Sequence, residues 1–158
     1  MANTQSMCTS FLGELMTATH NFGTAPTRGT SAADTFKGAL YLASATINAS
    51  TTAYSTTGEV TGTNYSAGGV TVTNATPPTA TNASTTAGTA YWTPSASLTY
   101  TNVTLSTAFD AVLIYNSTQS DKAVSVHTFG SQTITAGTFT LTMPSNTTST
   151  ALLRLATT

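Results

Sequence analysis

Along this chain the spacing of hydrophobic positions switches once, from a helical period to a strand period. Met7, Phe11, Leu15 and Met16 recur at i, i+4, i+8 and i+9. That spacing gathers them on one stripe at about 3.6 residues per turn and predicts an N-terminal helix. Thr4 or Ser6 would cap its start and Gly23 would end it. The opposite face is nearly uncharged, so the helix is expected to pack on both sides, as core cover or as an anchoring arm. Gly23 to Ala33, with Pro26 and Gly29, reads as a linker or extended arm.

From Phe36 the period is two. Phe36, Gly38, Leu40 and Leu42 alternate with Lys37, Ala39 and Tyr41, which predicts a first strand. Residues 44–57 read as a long loop, and Val70 and Val72 alternate with Thr71 and Thr73 in a further strand. Residues 74–88, with Pro77-Pro78 and a Thr/Ala/Ser/Gly tract, read as an exposed tip. A run of short strands follows: Ala90–Thr93, Leu98–Leu105, Ala108–Tyr115, Ala123–Phe129, Thr138–Met143 and Ala151–Leu155. Within Leu98–Leu105 the apolar phase flips, which calls for a bulge near Thr101-Asn102. The polar stretch Asn116–Asp121 between two apolar strands reads as a hairpin loop, while Gly130 and Ala136-Gly137 read as breaks. The pattern predicts an all-β fold, a two-sheet sandwich or jelly roll with one N-terminal helix. Helix and arm would occupy residues 1–33 and the sandwich residues 34–158.

Composition changes this picture at the surface. Only 6% of residues are charged, where an ordinary domain has about 25%. Thr and Ser take their place, together roughly a third of the chain. Thr is β-branched, suits a pleated strand, and offers both a hydroxyl and a methyl group to a partner. A net charge of −1 gives almost no self-repulsion, so the surface favours a subunit that meets other subunits. Without a basic patch there is no counterion release, which argues against nucleic acid and anionic membranes as partners. No run approaches the roughly 18 apolar residues of a membrane span. The first residues show no secretion signal, so the chain is expected to fold in a reducing cytoplasm. The lone Cys8 cannot form an intrachain disulfide and reads as a small buried side chain.

The residues that carry chemistry are few. Glu59 reads as a turn residue, and Asp110, Asp121 and Lys122 as solvated or locally paired groups. His20 closes the expected helix and His127 lies on a strand, too few ligands for a metal site. No Gly-x-Ser-x-Gly elbow and no phosphate loop is present. The expectation is a protein without catalytic activity, metal or cofactor. Tyr54, Tyr65, Tyr91 and Trp92 are the aromatic side chains that could stack on a sugar, although Trp92 reads first as core or inter-sheet packing.

Several blocks carry a resemblance in order along nearly the whole chain: Thr4–Phe11, Asp34–Tyr41, Tyr54–Val60, Tyr65–Gly69, Phe109–Asn116 and Ala123–Gly130. Together they resemble small virion structural proteins of tailed bacteriophages. The resemblance implies a head decoration (cement) protein on the capsid exterior, binding across joints between major capsid protein subunits as a dimer or trimer. Phe11, Leu15, Phe22, Thr27 and Arg28, together with one strand edge, would then face the capsid. The other place it implies is a tail or head-fibre component. A carbohydrate- or receptor-binding module is the rival class, with Tyr91 and Trp92 at an exposed tip.

Overall fold

In the computed structural model, residues 3–16, 19–22, 33–81 and 87–157 are described. The organising element is strand β2 (Phe36–Leu42), in which Phe36, Ala39, Leu40 and Tyr41 are all buried. Both faces of this strand are largely covered, Ala39 and Tyr41 on one and Phe36 and Leu40 on the other. It pairs antiparallel with β3 (Val70–Thr71) on one side and with the long strand β6 (Leu98–Asn116) on the other. Strand β7 (Lys122–Leu141) pairs with β6, and β1 (Ser6–Met7) pairs with β7, giving the order β1-β7-β6-β2-β3. A second antiparallel sheet holds β4 (Thr79–Ala80), β5 (Thr89–Trp92) and β8 (Leu153–Ala156). The chain is therefore all-β with two antiparallel sheets.

Two pairs of expected strands are single strands. Leu98–Leu105 and Ala108–Tyr115 merge into β6, and Ala123–Phe129 and Thr138–Met143 merge into β7. The apparent breaks are bulges, each of which resets the inside–outside phase while the ladder continues. The register slips between Tyr100 and Val103, where the sequence places a bulge, and Asn102 there has φ 52°. Ala136, with φ 47°, lies inside β7, as does Gly130. The hairpin turn after Asn116 falls where expected. Ser120 and Asp121 take positive φ there, and the Asn116 side-chain oxygen accepts from the N–H groups of Thr118 (3.1 Å) and Gln119 (3.2 Å).

The N-terminal stretch differs more. Helix α1 spans only Thr9–Met16. Ser6 and Met7, expected at the helix entry, instead pair with Val126 and Ser125, and the Cys8 N–H continues that ladder to the Val124 carbonyl (3.0 Å). The expected stop at Gly23 lies outside the described residues. The N-terminal stretch, expected as core cover or as an anchoring arm, supplies Cys8, Phe11 and Phe22 to the core. Asn21 and Asp34 lie side by side, the Asp34 N–H bonding to the Asn21 carbonyl (3.3 Å). One glycine is dictated by this packing: Gly69 has φ +71°, and a Cβ there would overlap the Gly38 carbonyl oxygen. Among the described residues no helix is long and apolar enough to cross a membrane.

Candidate functional site

The pairing of β5 with β8 sets Ala90 opposite Leu155 and Trp92 opposite Leu153, so these four share one face of the smaller sheet. Helix α1 and Phe22 lie against that face. Phe22 stacks on Phe36 at 4.3 Å between ring centroids, meets the Trp92 ring at 4.8 Å, and takes the edge of Phe11 at 5.8 Å. The Trp92 indole N–H donates to Asn74 Oδ1 (2.9 Å), and the Asn74 amide donates to the Phe22 carbonyl (2.6 Å). One amide thus ties ring to backbone. Above this cluster the two layers part into a groove of ≈ 90 Å³, lined by Met7, Phe11, Leu15, Phe22, Pro78, Ala90, Tyr91, Trp92, Leu153 and Leu155.

The expected capsid contacts and the expected ligand tip therefore meet at one place. Phe11 and Phe22 are 2% and 7% exposed, so they build the groove floor rather than a free surface. Trp92, expected at a tip or in the core, is in the core at 2% exposure. Leu15 and Tyr91 are half-buried at the groove walls, and Leu155 stands 45% exposed at its lip. Thr27 and Arg28 lie outside the described residues.

Two polar clamps, neither apparent from sequence, hold loops and termini to the larger sheet. In the first, Lys122 Nζ donates to Glu14 Oε1 (2.6 Å) and Glu14 Oε2 pairs with His20 Nε2 (2.7 Å). The Asn116 amide donates to His20 Nδ1 (3.0 Å) and to Asp34 Oδ2 (2.7 Å), and Gln119 donates to Asp34 Oδ1 (3.0 Å). Because the Asn116 oxygen already accepts from two turn N–H groups, its amide nitrogen must face the imidazole. His20 Nδ1 then accepts, and Nε2 carries the proton given to Glu14. Burial by itself pushes the Glu14 carboxyl up, but the bonds from Lys122 and His20 outweigh it and hold it below the usual range. His20, expected merely to close the helix, is a buried link between the N-terminal stretch and the hairpin turn.

In the second clamp Glu59 is buried and accepts from the Tyr54 hydroxyl (2.6 Å), the Tyr65 hydroxyl (2.8 Å) and the Gly68 N–H (2.7 Å). This corrects its reading as a simple turn residue. Burial, and then the Glu59 carboxylate, push both tyrosine hydroxyls far above their ordinary pKa. These tyrosines are donors locked onto a carboxylate, so they are not free stacking surfaces.

The remaining titratable groups are placed as follows. Asp110 accepts from the Asn3 amide (2.6 Å). Cys8 is buried, and burial followed by the Glu14 charge pushes its thiol up to about 11. Ser125 Oγ and His127 Nε2 are 2.8 Å apart on β7, and burial lowers the His127 pKa to about 4. Both border a polar cleft of ≈ 530 Å³ between β1, β7 and β8. Among the described residues no three His, Cys, Asp or Glu side chains converge as metal ligands.

The outer face of the β6–β7 ribbon is chemically uniform. Thr99, Thr101, Thr133, Thr135, Thr138 and Thr140 are exposed, while Leu98, Tyr100, Val103 and Leu105 are buried beneath. No charged residue lies between Lys122 and Arg154. Beyond Val126, the side of β7 away from β6 pairs with no other strand among the described residues. No family model, curated protein or solved structure matches this chain.

Proposed function

We propose that the chain is a non-enzymatic structural subunit of a phage virion, a head decoration protein that binds across major capsid subunits. The observation that carries this reading is the outer ribbon face, a row of exposed threonines on a two-stranded support whose inner face packs on the core through Leu98, Tyr100, Val103 and Leu105. Such a face has no ions to desolvate, so it can lie against a broad, shallow partner at little electrostatic cost. Each hydroxyl adds a modest hydrogen bond, and many copies on one shell sum these through multivalency. The open edge of β7 adds main-chain donors and acceptors to the same contact.

A fibre or glycan-binding role has less support, since burial of Trp92 and commitment of Tyr54 and Tyr65 leave Tyr91 as the available ring. Quantitative mass spectrometry of purified particles separates the two. Decoration requires copies in proportion to the major capsid protein; a few copies per particle would assign the chain to a fibre, and none would overturn a virion role.

A further inference from the structure

We infer that the polar cleft between β1, β7 and β8 is a binding site for a small hydroxylated carboxylate, of the sugar-acid class, held by Arg154 and the Ser125–His127 pair. At ≈ 530 Å³ the cleft falls within the range of about 300–1,000 Å³ typical of small-molecule sites. Ser125 and His127 stand two residues apart on one face of β7, while Arg154 comes from β8 in the other sheet. Met7, Val126 and Leu152 add apolar surface against which the C–H groups of a ligand can pack. A cation, a hydroxyl–imidazole pair and apolar wall thus border one space.

Each group selects one part of the ligand. Arg154 is the charged residue in the cleft wall, and among the described residues both ion pairs belong to Glu14, so no carboxylate of those residues neutralises the guanidinium. One terminal nitrogen donates to the Ser149 carbonyl (2.7 Å) and the Thr148 carbonyl (3.4 Å). That anchors the group and leaves Nε and the second terminal nitrogen to take a carboxylate side-on. His127 is neutral at neutral pH, because burial lowers its pKa to about 4. Its Nε2 is 2.8 Å from the Ser125 hydroxyl, which leaves Nδ1 without a partner among the described residues. Since the shared proton can belong to either Ser125 or His127, Nδ1 can donate or accept, and a ligand hydroxyl does both. Other ligands fit less well. A metal cation finds no acidic side chain in this wall, and one guanidinium balances a single carboxylate better than a doubly charged phosphate. None of Tyr54, Tyr65, Tyr91 and Trp92 lines the cleft, so the site is separate from the rings weighed for sugar stacking.

The test is a titration of the full chain followed by NMR of backbone and side-chain resonances, with glucuronate, its methyl ester, glucose and inorganic phosphate as probes. Glucuronate should shift the resonances of Ser125, His127 and Arg154 together, with a dissociation constant on the order of a millimolar or below. The methyl ester and glucose lack the negative charge and should bind about tenfold or more weakly, as should glucuronate to Arg154→Gln. His127→Phe, which keeps a ring and removes Nδ1, should also weaken glucuronate binding. The comparison of probes on the wild type needs no substitution, so it decides the matter even if a variant unfolds. Cleft resonances unmoved by glucuronate at concentrations on the order of tens of millimolar would overturn the inference. So would equal binding of acid and ester, tighter binding of phosphate, or a folded Arg154→Gln that binds glucuronate as the wild type does. Particle occupancy is measured independently, so failure here and failure of the proposed virion role are distinguishable.

Discussion

The two halves of the β6–β7 hairpin share one ladder and have opposite environments. Near the turn, Ala111 to Asn116 and Ala123 to Val126 are almost wholly buried, covered on one side by the N-terminal stretch and on the other by the tyrosine-rich loop. Far from the turn, the same two strands are buried on alternate residues only, and bulges bend them repeatedly. The near half is fixed by two polar clamps; the far half makes few side-chain bonds and shows threonine to the outside. One hairpin thus divides in two, with buried side chains and polar clamps at the turn end and exposed threonines at the other, the surface that the proposed function would use for contact. Substitutions should reveal that division.

The largest effect is expected for Phe22→Ala, which removes the ring between Phe36, Phe11 and Trp92 and leaves a cavity. A loss of about 3–5 kcal/mol is expected, read from chemical denaturation. Next comes Asn116→Ala, which strips Asp34, His20 and two turn N–H groups of a partner at once, at roughly 2–4 kcal/mol in the same measurement. Either substitution costing as little as a surface change would erase the contrast between the halves.

The first clamp also sets a pH dependence. The folded-state pKa of Glu14 is depressed, so its contribution is present above the unfolded-chain value of about 4.3 and is lost as the pH falls through the lower, folded value. Thermal unfolding of the wild type and Glu14→Gln should differ at neutral pH and converge in acid. For His127, also depressed by burial, the unfolded chain takes up a proton first. Stability therefore falls between the ordinary imidazole value of about 6.5 and about 4. His127→Gln should flatten that interval. The smallest effect belongs to the far half: Thr138→Lys should change stability by no more than about 0.5 kcal/mol, while reducing particle occupancy sharply.

Much of this fold is legible in the sequence because alternation marks strands locally. Phe36–Leu42 and the Asn116–Asp121 turn fall where the pattern puts them. Alternation fails at bulges, where Thr101-Asn102 and Ala136 shift the phase without ending the strand, so two long strands read as four. The clamps are illegible for another reason. Glu14 with Lys122, and Asp34 with Asn116, are far apart in sequence and adjacent only after the sheet forms, and nothing local distinguishes a carboxylate about to be buried. The groove is an intermediate case. Phe11, Leu15 and Phe22 stand out from the chain, as do Tyr91 and Trp92, but as two separate sites. Only the packing of β5 and β8 over Phe22 makes them one.

A map of the intact particle tests the central claim most directly, because it shows which surface of the subunit touches its neighbours. The threonine face of the far ribbon should lie against the capsid, repeated over the joints between major capsid subunits. Density at the tail alone, or copies with that face turned to solvent, would contradict the account.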